Sequence, residues 1–162
     1  MERQGRRIPK ERKRKLGLTR LSQFLRKHKI VAFDTMIFLY FFEEKKDYIE
    51  ETQKIFENIQ ENKNDAVTSV ITLLEASVLP FSINKRERAF KYLHLLLTMP
   101  NLLVNNVDPN VALKAAELRA KYRIKTPDAI QLATAILGNA TGFITNDKKL
   151  KAVKELDIFI LG

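Results

Sequence analysis

Cysteine is absent from this sequence of 162 residues, and so are long apolar runs. Without cysteine there can be no disulfide framework, no thiolate metal site and no cysteine nucleophile. The longest apolar run, residues 36–42, is far shorter than the roughly 20 residues that span a bilayer. No cleavable signal pattern opens the chain, so we expect a protein of the reducing cytoplasm with no membrane segment.

Histidine is nearly as scarce, since the chain contains only two. His28 lies in a basic N-terminal segment, and His94 lies in a predicted helix away from any predicted strand end. The zinc hydrolase signatures, in which two histidines share one helix face, are missing. The sequence therefore argues against a zinc hydrolase and against a histidine general base.

Positive charge is concentrated at the N-terminus. Of the 29 Lys and Arg residues, 12 lie in residues 1–29 beside only two Glu, and the other 17 are balanced by 17 Asp and Glu. Blocks of like charge repel one another and often act as interaction tails. We therefore expect residues 1–29 to be a flexible basic arm that attracts nucleic acid. A solubilising extension, a transit peptide and a short docking helix over residues 16–29 are alternatives.

From residue 30 onward, short apolar segments alternate with segments of helical periodicity. This alternation is typical of βαβ units and predicts one α/β domain over residues 30–162 with a parallel sheet. One helix follows the second strand and is expected to end at Pro80. The strands are predicted at residues 30–33, 66–69, 102–104, 142–145 and 158–160. The other helices are predicted at residues 35–43, 47–61, 85–98, 109–122 and 127–137.

Two carboxylates follow predicted strands directly. Asp34 ends the first strand and Asp147 comes just after the fourth. Ligands of open parallel sheets bind beyond the carboxyl ends of the strands, so both side chains can converge on one point. Each could instead serve only as the N-cap of the helix that follows, a role worth about 1 kcal/mol.

Asp128 is harder to explain as a cap. In Thr126-Pro127-Asp128, the threonine is well placed as N-cap and the proline as first helical residue, which leaves Asp128 as a spare carboxylate in the first turn. Its alternative role is a favourable interaction with the helix dipole. Asp108, by contrast, directly precedes a proline and is assigned to capping.

Glu75 stands in a predicted helix with few polar positions. A carboxylate there is costly to bury unless it is paired, protonated or bound to a cation, and no basic residue lies within a turn of it. The alternative is a solvent-facing stripe that Glu75 shares with Thr72 and Ser77.

Four carboxylates in one crevice would repel one another and raise each other's pKa values. A hard divalent cation relieves that repulsion, because Mg²⁺ and Mn²⁺ prefer carboxylate and water oxygens. Such a site can activate water and stabilise a phosphodiester during hydrolysis. The sequence thus favours a metal-dependent hydrolase whose metal-ligating and catalytic residues are Asp34, Glu75, Asp128 and Asp147.

Taken in order along the chain, these motifs resemble those of the PIN-domain nucleases. The matching pieces are Asp34-Thr35 after the first strand, Glu75 in the helix after the second, Thr126-Pro127-Asp128-Ala129 opening an apolar helix, and Thr145-Asn146-Asp147 after the fourth strand. The resemblance extends over residues 30–162. The short single-domain format looks most like the VapC-type toxins of toxin–antitoxin pairs.

The resemblance implies a flavodoxin-like three-layer sandwich around a central parallel sheet with strand order 3-2-1-4-5. It also implies a homodimer that cleaves RNA endonucleolytically with Mg²⁺ or Mn²⁺, and an antitoxin protein as a further partner. By position, the four carboxylates would ligate the metal directly or through water. The hydroxyl of Thr145 would orient ligands or water, and Thr35 or Asn146 could do likewise.

Several alternatives stay open at this point. A non-catalytic RNA-binding PIN module would keep the acidic pocket without turnover, and an RNA-processing factor would keep the chemistry without a toxin role. A scaffold for the basic arm would need neither. A phosphatase of the haloacid dehalogenase type is disfavoured, because such enzymes usually have a second Asp two residues after the first, and this chain has Met36 at that position.

Three basic residues near the predicted site could hold RNA phosphates. Arg123 and Lys125 come just before Asp128, and Lys148 follows Asp147. The alternative is that they are cations at solvated helix ends.

Overall fold

Five parallel strands form the centre of the structure, a computed structural model that describes residues 9–162. The strands are β1 (Ile30–Phe33), β2 (Asp65–Ser69), β3 (Leu102–Asn105), β4 (Gly142–Thr145) and β5 (Asp157–Ile160). The helices are α1 (Lys10–Lys27), α2 (Thr35–Phe42), α3 (Ile49–Gln60), α4 (Val70–Ser82), α5 (Arg86–Thr98), α6 (Pro109–Tyr122) and α7 (Thr126–Leu137). A 3₁₀ helix, Lys148–Ala152, joins β4 to β5.

The strand order is β3-β2-β1-β4-β5, which confirms the predicted order. β1 lies at the centre, and its register pairs Phe33 with Ile144 of β4. The N–H of Asp34 continues the ladder by donating to the carbonyl of Ile144 at 3.0 Å. Because the two strands end side by side, the residues that follow them are neighbours at one edge of the sheet.

Each face of the sheet carries its own apolar core, which confirms the three-layer sandwich. One core joins the sheet to α1, α2 and α3 and to the end of α5; its largest fully buried side chains include Phe33, Phe38 and Phe56. The other joins the sheet to α6 and α7 through Leu118 and Leu132, both fully buried. Strands covered on both faces are nearly continuous in apolar residues, as β1 and β4 are.

The N-terminal segment differs from the flexible arm expected for residues 1–29. Residues 10–27 form α1, and Leu21, Phe24 and Leu25 on one of its faces are buried in the core of the domain. This i, i+3, i+4 spacing forms an apolar stripe that the sheet covers, so burial outweighs the charge repulsion of the segment. Position 29 is therefore not a domain boundary. Residues 1–8, the start of the expected arm, lie outside the described residues.

Two helix ends also differ from expectation. α4 continues through Pro80 to Ser82, and the buried proline stands in the last turn, where few helical bonds remain to be disturbed. α7 begins at Thr126, and its N-cap is Lys125, which provides no side-chain cap. Among the helices of residues 9–162, none is both long and apolar enough to cross a membrane.

Candidate active site

Asp34 and Asp147 meet at the edge where β1 and β4 end. The hydroxyl of Thr145 donates to Asp34 Oδ2 at 2.8 Å and accepts the N–H of Asp147 at 3.0 Å. Both carboxylates also cap the helix that follows, with Asp34 accepting from Met36 N–H at 3.4 Å and Asp147 from Lys149 N–H at 2.9 Å. Capping and convergence thus coexist, and the fully buried Thr145 links the two strands.

Glu75 reaches the same edge from α4. The hydroxyl of Thr35 donates to Glu75 Oε2 at 2.6 Å, and Thr35 directly follows Asp34 in the chain. Thr72 and Ser77 are buried, so Glu75 does not share a solvent-facing stripe with them. The carboxylate is half-buried and points toward the end of β1, as the strand-end argument requires.

Asp128 completes the cluster from the first turn of α7. Burial, followed by the carboxylates of Asp34, Asp147 and Glu75, raises the pKa of Asp128 to about 6, while Lys125 acts in the opposite direction. An electrostatic effect from all three partners requires that all three lie near Asp128. The sequence predicted Thr126 as the N-cap of α7, but the N-cap is Lys125. Within residues 9–162, the side chain of Asp128 makes no hydrogen bond, unlike the capping carboxylates of Asp34 and Asp147.

The pKa of Asp34 is also raised by burial and by a neighbouring carboxylate. Burial raises its pKa above the ordinary value, and the charge of Asp147 adds to that rise. The hydrogen bonds from Thr145 and from the backbone N–H groups of α2 act in the opposite direction. Four half-buried carboxylates therefore share one edge of the sheet, and Lys125 only partly offsets their repulsion at Asp128.

The family model of the PIN domain matches residues 31–156. The chain belongs to the PIN domain family. The match begins at the second residue of β1 and therefore leaves α1 outside it. No curated protein sequence matches the chain.

Several solved structures with a similar fold are toxin–antitoxin proteins. VapBC2 from Rickettsia felis, bound to a DNA fragment from its promoter, has a TM-score of 0.66 and 22% identity, with 82% of this chain and 99% of that chain covered. DNA-bound VapBC from Salmonella typhimurium has a TM-score of 0.61 and 18% identity, with 80% of this chain and 96% of that chain covered. A toxin–antitoxin complex from Klebsiella pneumoniae has a TM-score of 0.57 and 26% identity, with 78% of this chain and 94% of that chain covered.

The donor set of this PIN domain fits a hard divalent cation. The facing side chains offer carboxylate and hydroxyl oxygens only, which are the ligands of Mg²⁺ and Mn²⁺. Within the described residues, no three His, Cys, Asp or Glu side chains draw close enough to enclose an ion by themselves. Mg²⁺ usually keeps several waters and binds only one or two carboxylates directly. Asp34, Glu75, Asp128 and Asp147 would hold it, some directly and the others through water.

Sequence reasoning missed Gln131, which connects the site to the interior. Its amide donates to the hydroxyl of Thr35 at 3.2 Å and to that of Thr72 at 2.7 Å. Thr72 in turn shares a hydrogen bond of 2.7 Å with Thr68 of β2. The available signal was that Gln131 follows Asp128 by three residues and so shares its face of α7.

Asn146, which was expected to orient ligands or water, instead binds Tyr40, a residue that the sequence analysis did not single out. The amide of Asn146 donates to the hydroxyl of Tyr40, whose ring stacks on Tyr48 at 4.2 Å between centroids. This contact closes the β5 side of the acidic edge.

The three basic residues proposed for RNA are all exposed. Lys125 lies close enough to Asp128 to lower its pKa, whereas Arg123 adopts a left-handed conformation (φ 54°) as the C-cap of α6. Lys148 opens the 3₁₀ helix after Asp147. Lys125 therefore directly precedes the helix that carries Asp128, and Lys148 directly follows Asp147.

Proposed function

We propose that this PIN domain is a Mg²⁺- or Mn²⁺-dependent endoribonuclease. The observation that carries the proposal is the convergence of four half-buried carboxylates from β1, α4, α7 and the end of β4. Two threonine hydroxyls hold two of these carboxylates from fixed backbone positions, so the donor set is preorganised. The absence of cysteine suits the reducing cytoplasm, where we propose that the protein acts.

The chain's own residues orient two of the carboxylates. Thr145 donates a hydrogen bond to Asp34, which opposes the rise that burial causes in the pKa of Asp34, and Thr35 donates a hydrogen bond to Glu75. Gln131 fixes the hydroxyl of Thr35 by donating to it, so that the proton of Thr35 is directed to Glu75. When bound, the cation would polarise the phosphodiester and lower the pKa of an attacking water.

We also propose that the protein is the toxin of a toxin–antitoxin pair and forms a homodimer. The similar solved structures are toxin–antitoxin complexes, which supports an antitoxin partner. A groove of about 320 Å³ between α4 and α5 is lined by apolar residues, among them Leu74 and Phe90, which are 59% and 57% exposed. An exposed apolar surface of this kind usually marks a protein interface. Sedimentation of the purified chain tests the dimer.

The test of the nuclease is cleavage of a mixed single-stranded RNA in Mg²⁺, Mn²⁺ or EDTA. Asp34→Asn keeps the size of the side chain and removes its charge, so we expect a loss on the order of a hundredfold or more. Asp108→Asn is the matched control, because Asp108 only caps α6, with a 2.8 Å bond to Val111 N–H, and Asn caps equally well. RNA binding without cleavage in any metal would identify a non-catalytic RNA-binding module instead.

A further inference from the structure

Helix α1 carries a dense row of basic side chains on its exposed surface. In its N-terminal half, Arg14 pairs with Glu50 at 2.6 Å. Within residues 9–162, no carboxylate pairs with the other exposed cations of α1 upstream of the buried face, which are Lys10, Arg12, Lys13, Lys15 and Arg20. Residues 30–162 have no net charge, so α1 is the main source of positive potential in the described structure.

The contacts of α1 fix its direction along the sheet. Its C-terminal end lies where the strands begin, because Lys27 and His28 both bond to Asp157, the first residue of β5. About two turns earlier, the guanidinium of Arg20 lies over the ring of Phe159, near the end of β5. α1 therefore runs antiparallel to β5, and its N-terminal half lies toward the carboxyl ends of the strands.

A continuous chain of contacts then joins α1 to the acidic edge. Gly17 of α1 lies against the carboxylate of Glu51, which accepts a hydrogen bond from the backbone of Gly162, and Gly162 lies against the ring of Tyr48. The ring of Tyr48 stacks on Tyr40, which binds Asn146, the neighbour of Asp147. Upstream of Gly17, residues 10–17 extend about 10 Å further, since a helix rises about 1.5 Å per residue. The free cations of α1 thus flank the β5 side of the carboxylate cluster.

We propose that α1 is a phosphate-binding element that holds the single-stranded RNA substrate beside the carboxylate cluster. The inference rests on the proposed nuclease function and adds the part of the chain that attracts the substrate. An acidic edge repels RNA until it is neutralised, and the remainder of the domain offers no net attraction. Lys and Arg on an exposed helix supply attraction to phosphate without reading the base sequence.

The test is RNA binding in EDTA, where cleavage does not interfere. The variant carries Arg12→Gln, Lys13→Gln and Lys15→Gln, which keep helix propensity nearly unchanged. If all three contact phosphates, the slope of log K against log salt concentration falls by about 2, and affinity at 0.1 M salt falls by about tenfold to a hundredfold. The matched control is Lys85→Gln with Arg88→Gln and Lys91→Gln, three exposed cations at the opposite edge of the sheet.

Two outcomes would overturn the inference. In the first, the α1 variant and the control bind RNA with equal affinity and equal salt slope. In the second, the α1 variant keeps its RNA binding but loses binding to anionic phospholipid vesicles or to duplex DNA. Failure of the nuclease proposal appears separately, as the absence of metal-dependent cleavage in the unmodified protein. If cleavage is present, the α1 variant should raise KM and leave kcat unchanged, because its residues touch no carboxylate of the site.

Discussion

Replacing Phe24 by alanine removes the ring that anchors α1 to the sheet. Phe24 is 8% exposed, and its ring packs directly on Gly142. The centroid of the ring lies 5.2 Å from that of Phe159 and 4.5 Å from that of His28. If α1 belongs to the folded domain, the cavity left by the ring must destabilise the whole domain. If α1 were a flexible arm, the substitution would leave stability unchanged.

The magnitude follows from the burial of the ring. Replacing a buried Phe by Ala costs about 3–5 kcal/mol, and a site at the margin of the core, as here, lies at the lower end, about 3 kcal/mol. If the free energy of unfolding falls by about 2 kcal/mol per M of urea, the midpoint of unfolding should fall by about 1.5 M urea. Urea unfolding followed by far-ultraviolet circular dichroism measures both the midpoint and the slope.

Leu113→Ala is the control, because this apolar side chain on α6 is 73% exposed and lies outside the groove between α4 and α5. Its effect should stay within about 0.5 kcal/mol, as for other surface substitutions. A shift for Phe24→Ala no larger than that of the control would refute the docking of α1, and with it the placement of the basic residues beside the site.

Three further predictions concern other contacts. Gly142→Ala should destabilise the domain, because its Cβ would lie 2.6 Å from the ring of Phe24, with urea unfolding as the measurement. A hydrogen bond from Lys121 lowers the pKa of Glu155 to about 2, so the stability that this contact adds is present above the ordinary pKa of 4.5 and is lost as the pH falls toward 2. Glu155→Gln should therefore be less stable than the unmodified protein at neutral pH and should converge with it in acid. Thr35→Val should lower cleavage by about tenfold with the fold intact, because it frees the carboxylate on α4.

Each of these predictions has a result that would contradict it. An unchanged midpoint for Gly142→Ala would mean that α1 does not pack on β4. A constant stability difference across the pH range would mean that Glu155 is not held by its partners. For Thr35→Val, the conservative variant Thr35→Ser keeps the hydroxyl, and equal cleavage by both would remove the hydroxyl from the account.

The sequence allowed the position of the site to be predicted because strand ends follow a general rule. Asp34 and Asp147 end neighbouring parallel strands, and the register of β1 against β4 brings them together through Thr145. Glu75 was detectable as a carboxylate in an apolar helix. These signals are local, and the fold places them at one edge of the sheet.

The features that the sequence left open or missed depend on contacts between residues distant in the chain. The charge of residues 1–29 favoured a flexible arm, and a docking helix over residues 16–29 was an alternative. What that helix packs on could not be read from the sequence, because Phe24 lies against Gly142, more than a hundred residues later. Gln131 likewise gains its role from Thr35 and Thr72, which no local pattern connects to it.

The central claim, that four carboxylates form one cation site, is tested most directly by titrating metal-free protein with Mn²⁺. Asp128 lies on α7 and follows no strand, so Asp128→Asn reports on convergence rather than on one strand end. The account predicts Mn²⁺ binding that Asp128→Asn weakens on the order of tenfold to a hundredfold and that the N-cap control Asp108→Asn leaves unchanged. Equal Mn²⁺ affinity for all three proteins would contradict it.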